Sequence, residues 1–151
     1  MKAFRFRLEQ ARRWRATQAD IEKAKVAAAA ARVSALQTER EVRRSWLDDG
    51  ARQMSTGANG PALEAWASYA KRVRREVAQI EKHLREAERA LGEQLRALAE
   101  ANRKVRLLEK LEESERTRWD AEADHELEAF SGEAFLVRYN RESRRARSSG
   151  G

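Results

Sequence analysis

His125 and Glu126, in the stretch DHELEA at residues 124–129, come closest to a catalytic motif in this chain. A zinc protease places a second His four positions after the first, so that both imidazoles bind the metal from one helical face. Position 129 is Ala129 instead. The missing ligand favours a solvated helix over a metal site.

Other candidate chemistry is equally incomplete. His83 lies beside Leu84 with no partner base apparent, which favours a flanking side chain over a proton-transfer role. The stretch GANGP, residues 57–61, lacks the Lys of a phosphate-binding loop. The absence of cysteine excludes thiol nucleophiles and Cys-based zinc sites. We therefore expect no catalytic residue, no cofactor, no metal and a function other than catalysis.

The composition indicates long helices. Charged residues make up 38% of the chain, whereas about a quarter is usual in a globular domain. Ala, Leu and Val recur regularly between the charges, unlike in a disordered chain. The net charge is +7, but basic and acidic residues are mixed along the chain, which argues against a simple nucleic-acid-binding stripe. No apolar run approaches the roughly 20 residues that span a membrane, and the basic start lacks the apolar core of a secretory signal.

The clearest periodicity follows the stretch STGANGPALEAW, residues 55–66. Apolar residues there are separated by alternating steps of three and four, the spacing of a coiled-coil seam. The seam comprises Leu63, Trp66, Ala70, Val73, Val77, Ile80, Leu84, Ala87 and Leu91. It continues through Leu95, Leu98, Ala101, Val105 and Leu108. The step from Leu91 to Leu95 breaks the alternation and predicts a local stutter.

The first half of the chain carries a weaker seven-residue repeat. Its members are Trp14, Ile21, Ala28, Ala35 and Val42, with Ala24 and Ala31 between them. Residues 24–36 have the highest helix propensity in the chain, and the small residues of this seam allow close approach of a second helix. Val26, Val33 and Leu36 lie off the seam, so the apolar face is broad.

These patterns predict an all-α fold of two long helices that form an antiparallel coiled-coil hairpin, with the second helix overhanging. Helix 1 is expected over about residues 4–50, the turn over about 51–61 and helix 2 over about 62–130. Gly50 suits a C-cap and Pro61 a first helical turn. Together these elements form a domain at residues 1–137. The basic tail at 138–151 is expected to be disordered.

A register in which paired positions sum to 112 places Val42 opposite Ala70 and Ala35 opposite Val77. Small residues of helix 1 then meet larger ones of helix 2, which fills space without overpacking. Helix 1 covers helix 2 only to about residue 108 in this register. The acidic segment at residues 109–133 would overhang as a single helix.

This register predicts where the aromatic residues lie. Trp14 and Trp66 fall on predicted seams and are expected to pack in the core, while Trp46 is expected to cap the turn end of the hairpin. On the overhang, Trp119 lies with Leu127 and Phe130. These three form a partner surface, or the helix bends or dimerises to bury them. Phe4 and Phe6 either close the end of the coiled coil or join that surface.

Three stretches of the sequence resemble a known family. They are MKAFRFRLEQARRWR at residues 1–15, WASYAKRVRREVAQIEKH at 66–83 and LLEKLEESERTRWDAEADHELEAF at 107–130. They look like the FliJ family, small coiled-coil proteins of the bacterial flagellar type III export apparatus, over about residues 1–130. The resemblance implies an antiparallel helical hairpin similar to the central stalk of rotary ATPases.

The resemblance also implies a function in flagellar protein export. One end of the hairpin would enter the hexameric export ATPase ring, and another region would contact the cytoplasmic domain of the export gate. Export chaperones would be a third partner. The chain would be a non-enzymatic coupling component, expected as a monomeric hairpin. It would lie in the cytoplasm, held at the inner membrane at the flagellar base through its partners, with no nucleic acid bound.

Residue by residue, the match gives two candidate sets. The ATPase-binding candidates are Phe4, Phe6, Leu8, Arg12, Arg13, Trp119, Asp124, Glu126, Leu127 and Phe130. The gate-binding candidates are Trp66, Tyr69, Val73, Val77, Ile80 and His83. The chain departs from the family where Arg72, Glu76 and Gln79 replace an expected apolar face. That departure moves the gate contact to Val73 and Val77.

Three alternatives remain open at this point. One is a generic structural coiled-coil scaffold, which predicts dimers or higher oligomers. The second is the equivalent stalk protein of an injectisome. The third is a nucleic-acid binder that uses the basic stretch RESRRARSSGG, residues 141–151, with steeply salt-dependent affinity.

Overall fold

The computed structural model describes residues 2–150, and these form two long α-helices without a strand. The helices are α1, Glu9–Ser55, and α2, Gly60–Ser148. They pack against each other as a helical hairpin, so the predicted all-α fold is confirmed. The described chain divides into two compact units. One is Arg15–Lys104, and the other combines the residues before Arg15 with those after Lys104.

The reversal lies where the sequence predicts it, between Ser55 and Gly60. Gly57 has φ +111°, a left-handed conformation that glycine adopts without the steric cost of a side chain. Asn59 caps α2, because its Oδ1 accepts a hydrogen bond of 2.9 Å from the Ala62 amide. Pro61 is the second residue of α2, where its missing amide proton costs no helical hydrogen bond.

The helix bounds differ from the prediction at three ends. Helix α1 begins at Glu9 instead of residue 4, and it continues past Gly50 to Ser55. Helix α2 continues to Ser148 instead of ending near 130, so it passes position 137 without a break. The expectation of a disordered tail is therefore wrong as far as Ser148. Between residue 130 and Ser148 there is no proline and the one glycine is Gly132, so the sequence holds no strong stop signal there.

The core of the unit Arg15–Lys104 is a cluster shared by the two helices. Val33 and Leu36 of α1 pack with three buried residues of α2, and Leu91 lies against the cluster. The α2 members are Ile80, Leu84 and Ala87. Residues later in α1 contact residues earlier in α2, so the pairing is antiparallel. The predicted α2 seam is confirmed from Trp66 to Leu91, while Leu63 is exposed.

The predicted seam of α1 is wrong. Trp14 is 55% exposed, and the other four members of the seven-residue repeat are exposed as well. From Ala19 onward, the residues of α1 that are buried or half-buried lie in steps of three and four on another face. They are Ala19, Glu22, Val26, Ala29, Val33, Leu36, Arg40, Arg43, Leu47, Gly50 and Met54.

Arginine side chains explain why this seam escaped the apolar pattern. Arg43 lies at a seam position, where its aliphatic stem covers apolar surface and its head group reaches the edge of the interface. There its Nε lies 3.2 Å from the Glu76 carboxylate, and Arg44 binds Glu81 at 2.7 Å. The seam therefore combines Val and Leu with charged residues that pair across the two helices.

The register also differs from the predicted one by about a helical turn. Trp66 lies directly over Gly50, whereas the predicted register places Trp46 opposite it. Trp46 is exposed beneath the Arg43 guanidinium, 5.7 Å from the ring centroid. The predicted stutter is wrong too, because Leu95 is exposed and Gln94 takes the seam position between Leu91 and Leu98. The α2 seam thus keeps its regular spacing by including a polar residue.

Candidate partner-binding surface

Residues 2–8 form a non-helical segment that packs onto α2. The Phe4 ring lies 6.0 Å from the Trp119 ring at an interplanar angle of 60°, a favourable tilted aromatic pair. The Arg116 guanidinium lies 5.0 Å from the Phe4 ring centroid, within range of a cation–π contact. Phe6 is buried. The structure thus joins the opening and closing motifs of the sequence, and Trp119 is half-buried instead of lying on a bare overhang.

Glu9 organises the start of α1. Its carboxylate accepts hydrogen bonds from Arg12 Nη2 at 2.7 Å, Arg12 Nε at 2.9 Å and Arg13 Nε at 2.9 Å. These bonds, those from Arg12 first, lower the pKa of Glu9 to about 2, so the carboxylate is ionised at neutral pH. The same pairing raises the pKa of Arg12. Arg12 also lies 3.4 Å from the Glu112 carboxylate, which links α1 to α2.

An open groove of about 850 Å³ lies beside the Phe4–Trp119 contact. Residues from the N-terminal segment and from α2 line it. They are Lys2, Ala3, Phe4, Arg5, Glu115, Arg118, Trp119 and Glu122. Its walls carry both signs of charge around an aromatic floor, which suits contact with a protein surface better than enclosure of a small ligand.

Six ATPase-binding candidates lie together in this region. They are Phe4, Phe6, Leu8, Arg12, Arg13 and Trp119. The other four, Asp124, Glu126, Leu127 and Phe130, follow along α2 and are exposed. Phe6 is too deeply buried to offer a contact surface, so it stabilises the packing of the N-terminal segment.

The gate-binding candidates fall into buried and accessible groups. Val73 is 1% exposed and Ile80 is 6% exposed, because both occupy core positions of the α2 seam. The prediction that Val73 and Ile80 contact a partner at the surface is therefore wrong. The rings of Trp66 and Tyr69 lie 5.6 Å apart, and both are half-buried.

Two further gate candidates remain partly accessible. Val77 is half-buried, and so is His83. The ring Nε2 of His83 lies 3.2 Å from the Gln79 side-chain nitrogen, within hydrogen-bonding distance. Because Arg72 stacks on Tyr69 at 5.5 Å, this surface is more polar than an apolar docking face.

Residue types that ligate metals are scattered along the two helices. Within residues 2–150, no three His, Cys, Asp or Glu side chains are grouped to hold a metal ion. His125 is exposed on α2. Over the same residues, neither helix contains a segment long and apolar enough to cross a membrane.

Sequence reasoning missed an apolar surface after Phe130. Phe135, Leu136, Val137 and Tyr139 are exposed on α2. The rings of Phe135 and Tyr139 stack at 6.5 Å. They were missed because helix 2 was expected to end near residue 130. The signal was present, however, since apolar residues continue at steps of three and four through Val137.

Comparison with protein-family models, curated proteins and solved structures gives no match for this chain.

Proposed function

We propose that this chain is a non-enzymatic stalk that couples an export ATPase to protein export in the manner of the FliJ family. The observation that carries the proposal is the packing of residues 2–8 on α2, centred on Phe4 and Trp119. The family resemblance assigns ATPase binding to both the opening and the closing sequence. Their union in one compact unit supports a single surface that enters the ring.

A coiled-coil hairpin suits this role mechanically. Interdigitated side chains keep two helices in register, so a displacement at one position is transmitted along the pair. Solvated ion pairs contribute only about 0–1 kcal/mol each, which allows a charged surface to move within a ring without becoming trapped. Exposed charges such as Asp124 and Glu126 would face the ring interior.

The other proposed partners are the cytoplasmic domain of an export gate and export chaperones. Trp66, Tyr69, Val77 and His83 remain the gate candidates, since each keeps some exposed surface. The proposed location is the cytoplasmic side of the inner membrane at the flagellar base, with attachment through these partners. The stalk of an injectisome is the corresponding role in the related secretion system.

The test is the effect of the purified chain on a flagellar export ATPase. We expect it to increase ATP turnover and hexamer assembly, measured by phosphate release and by sedimentation. Replacing both Leu127 and Phe130 with Ser should remove the stimulation, because these exposed candidates are not needed for the fold. Leu107→Ser, another exposed leucine of α2 outside the candidate set, is the matched control and should stimulate normally.

Two results would reject the proposal. One is an unchanged turnover when the wild-type chain is added over a wide concentration range. The other is equal loss of stimulation in the Leu107→Ser control, since this would trace the effect to helix stability instead of the candidate surface.

A coiled-coil scaffold is the second candidate function. The exposed apolar residues of α2 from Leu127 to Tyr139 favour it, because clustered exposed apolar side chains indicate a binding site. A scaffold would bind other chains and leave ATP turnover unchanged, so the same assay separates the two functions.

A further inference from the structure

A second coiled-coil seam follows the covered part of α2. We name it the C-terminal stripe: Ala123, Leu127, Phe130, Ala134 and Val137. Its steps are four, three, four and three residues, which place the side chains on one helical face. Leu127 is 66% exposed and Phe130 is 70% exposed. An open groove of about 400 Å³ runs along the stripe between Phe130 and Arg141.

The charges beside the stripe change sign along the helix. Residues 120–128 contain five acidic residues and no Lys or Arg, whereas residues 138–147 contain five arginines and one glutamate. A parallel pair of such helices would bring like charges together. An antiparallel pair would bring the acidic part of each helix beside the basic part of the other.

We propose that the C-terminal stripe binds the stripe of a second copy of this chain in an antiparallel coiled coil. The order of steps between Leu127 and Val137 reads the same in both directions, so the two stripes match when reversed. Leu127 then lies opposite the second copy's Val137, and Phe130 lies opposite the second copy's Ala134. The large ring meets the small side chain, which fills the seam.

The same register makes specific charge pairs. Asp124 flanks the seam on the edge that faces Arg138 of the second copy, and Asp120 lies opposite the second copy's Arg144. Two-fold symmetry repeats each pair, so one register forms four opposite-charge contacts. It also brings the two copies of Glu133 together at the axis, where they repel. All five side chains are exposed in the single chain.

A second copy fits these observations better than an anionic membrane surface does. Glu126 and Glu133 flank the stripe and would repel anionic lipid headgroups. Leu136 and Phe135 point away from the stripe, so the apolar residues do not form the single face that an interfacial helix buries. The inference is independent of the stalk function, but the stripe shares Leu127 and Phe130 with the ATPase-binding candidates. An ATPase would therefore compete with the second copy.

The experiment uses two charge variants of the full chain and their mixture. Asp124→Arg alone places a second guanidinium beside Arg138, and Arg138→Glu alone places a second carboxylate beside Asp124. Each variant should dimerise at least about tenfold more weakly than wild type, because attractive pairs become repulsive. An equimolar mixture restores opposite charges in every pair and should recover dimers. Sedimentation velocity at several concentrations, at low and high salt, measures the fraction of dimer for each variant and for the mixture.

Further variants test the seam. Phe130→Glu should abolish dimers, whereas Leu136→Glu, an exposed residue on another face, should leave them unchanged. Glu133→Gln should strengthen the dimer by removing the repulsion at the axis. Circular dichroism checks that each variant keeps its helix content.

Three results overturn the proposal. The first is a wild-type chain that stays monomeric at every concentration. A monomeric chain that sediments with anionic vesicles counts as the same result. The second is a mixture of the charge variants that dimerises no better than either variant alone. The third is equal loss of dimers in Phe130→Glu and Leu136→Glu. Because sedimentation does not depend on ATPase stimulation, a failure of the stalk function leaves this result unaffected.

Discussion

Gly50 shows how one residue determines the register of the hairpin. It lies inside α1, where a glycine costs about 0.5–1 kcal/mol relative to alanine. It is nevertheless well suited to its position, because a Cβ there would overlap the Trp66 ring. The absence of a side chain is what allows the indole of α2 to lie on the backbone of α1.

Gly50→Ala is therefore expected to destabilise the hairpin, although alanine favours helix. Overpacking costs about 1–3 kcal/mol, and the gain in helix propensity offsets only part of it. A net loss of about 1 kcal/mol would lower Tm by about 2–4 °C for a chain of this size. Thermal and urea unfolding measure the change.

Gly92→Ala is the matched control for this substitution. Gly92 is also inside a helix, but the nearest heavy atom to its added Cβ would be an Arg96 side-chain nitrogen at 3.9 Å. The Gly92→Ala substitution should therefore stabilise the chain by up to about 1 kcal/mol. Equal stabilisation by both alanines would show that the Trp66 ring does not require a glycine beneath it.

At the scale of the helices, Gln94 is the exception in an otherwise apolar stretch of the α2 seam. It lies between Leu91 and Leu98, and its buried Oε1 has no hydrogen-bond partner among the described residues. A buried polar atom left unpaired costs about 1–3 kcal/mol. Polar residues at seam positions are also known to specify register at a cost in stability.

Gln94→Leu is accordingly expected to stabilise the chain by about 1–3 kcal/mol, measured by urea unfolding. Leu95→Ala is the informative partner, because Leu95 is exposed. Truncation of the Leu95 side chain should change the free energy of unfolding by no more than about 0.5 kcal/mol. If the predicted stutter were right, Leu95 would be a core residue, and its truncation would cost about 2–5 kcal/mol.

The two helices differ in how far their sequences predict them. In α2 the seam consists of large apolar residues such as Val73 and Leu84, and its spacing reveals the helix, the pairing face and the site of the turn. In α1 alanines occupy every face, so an apolar repeat can be drawn through Ala28 and Ala35 although neither is buried. Helix propensity is visible in such a sequence, but the packing face is not.

The candidate surface was only partly predictable for a related reason. The aromatic residues Phe4 and Trp119 stand out in a charged sequence, but their contact requires the correct register of α1. A register in error by one turn moves the end of the covered region along α2. The apolar residues beyond Phe130 could be assigned to the helix only by extending α2 to the glycines that follow Ser148, since no proline interrupts the sequence between these points.

On the scale of the whole molecule, burial is concentrated in one part of the chain. Nine apolar residues are the most buried of those described, and eight of them lie within Arg15–Lys104. The ninth is Phe6. Local opening of a helix requires less free energy where fewer apolar contacts must break, so backbone protection should vary strongly along each helix.

Hydrogen exchange followed by mass spectrometry tests this distribution at concentrations low enough to exclude self-association. Amides near Leu36 and Leu84 should exchange slowest, because opening there disrupts the central cluster. Amides from about residue 124 to Ser148 should exchange fastest, since nearly all side chains of that segment are exposed. The region around Trp119 should lie between these limits, and Phe4→Ala should increase its exchange rate while leaving that near Leu84 unchanged. Uniform exchange along α2, or an equal effect of Phe4→Ala at both positions, would contradict a helix whose stability is set locally by what packs against it.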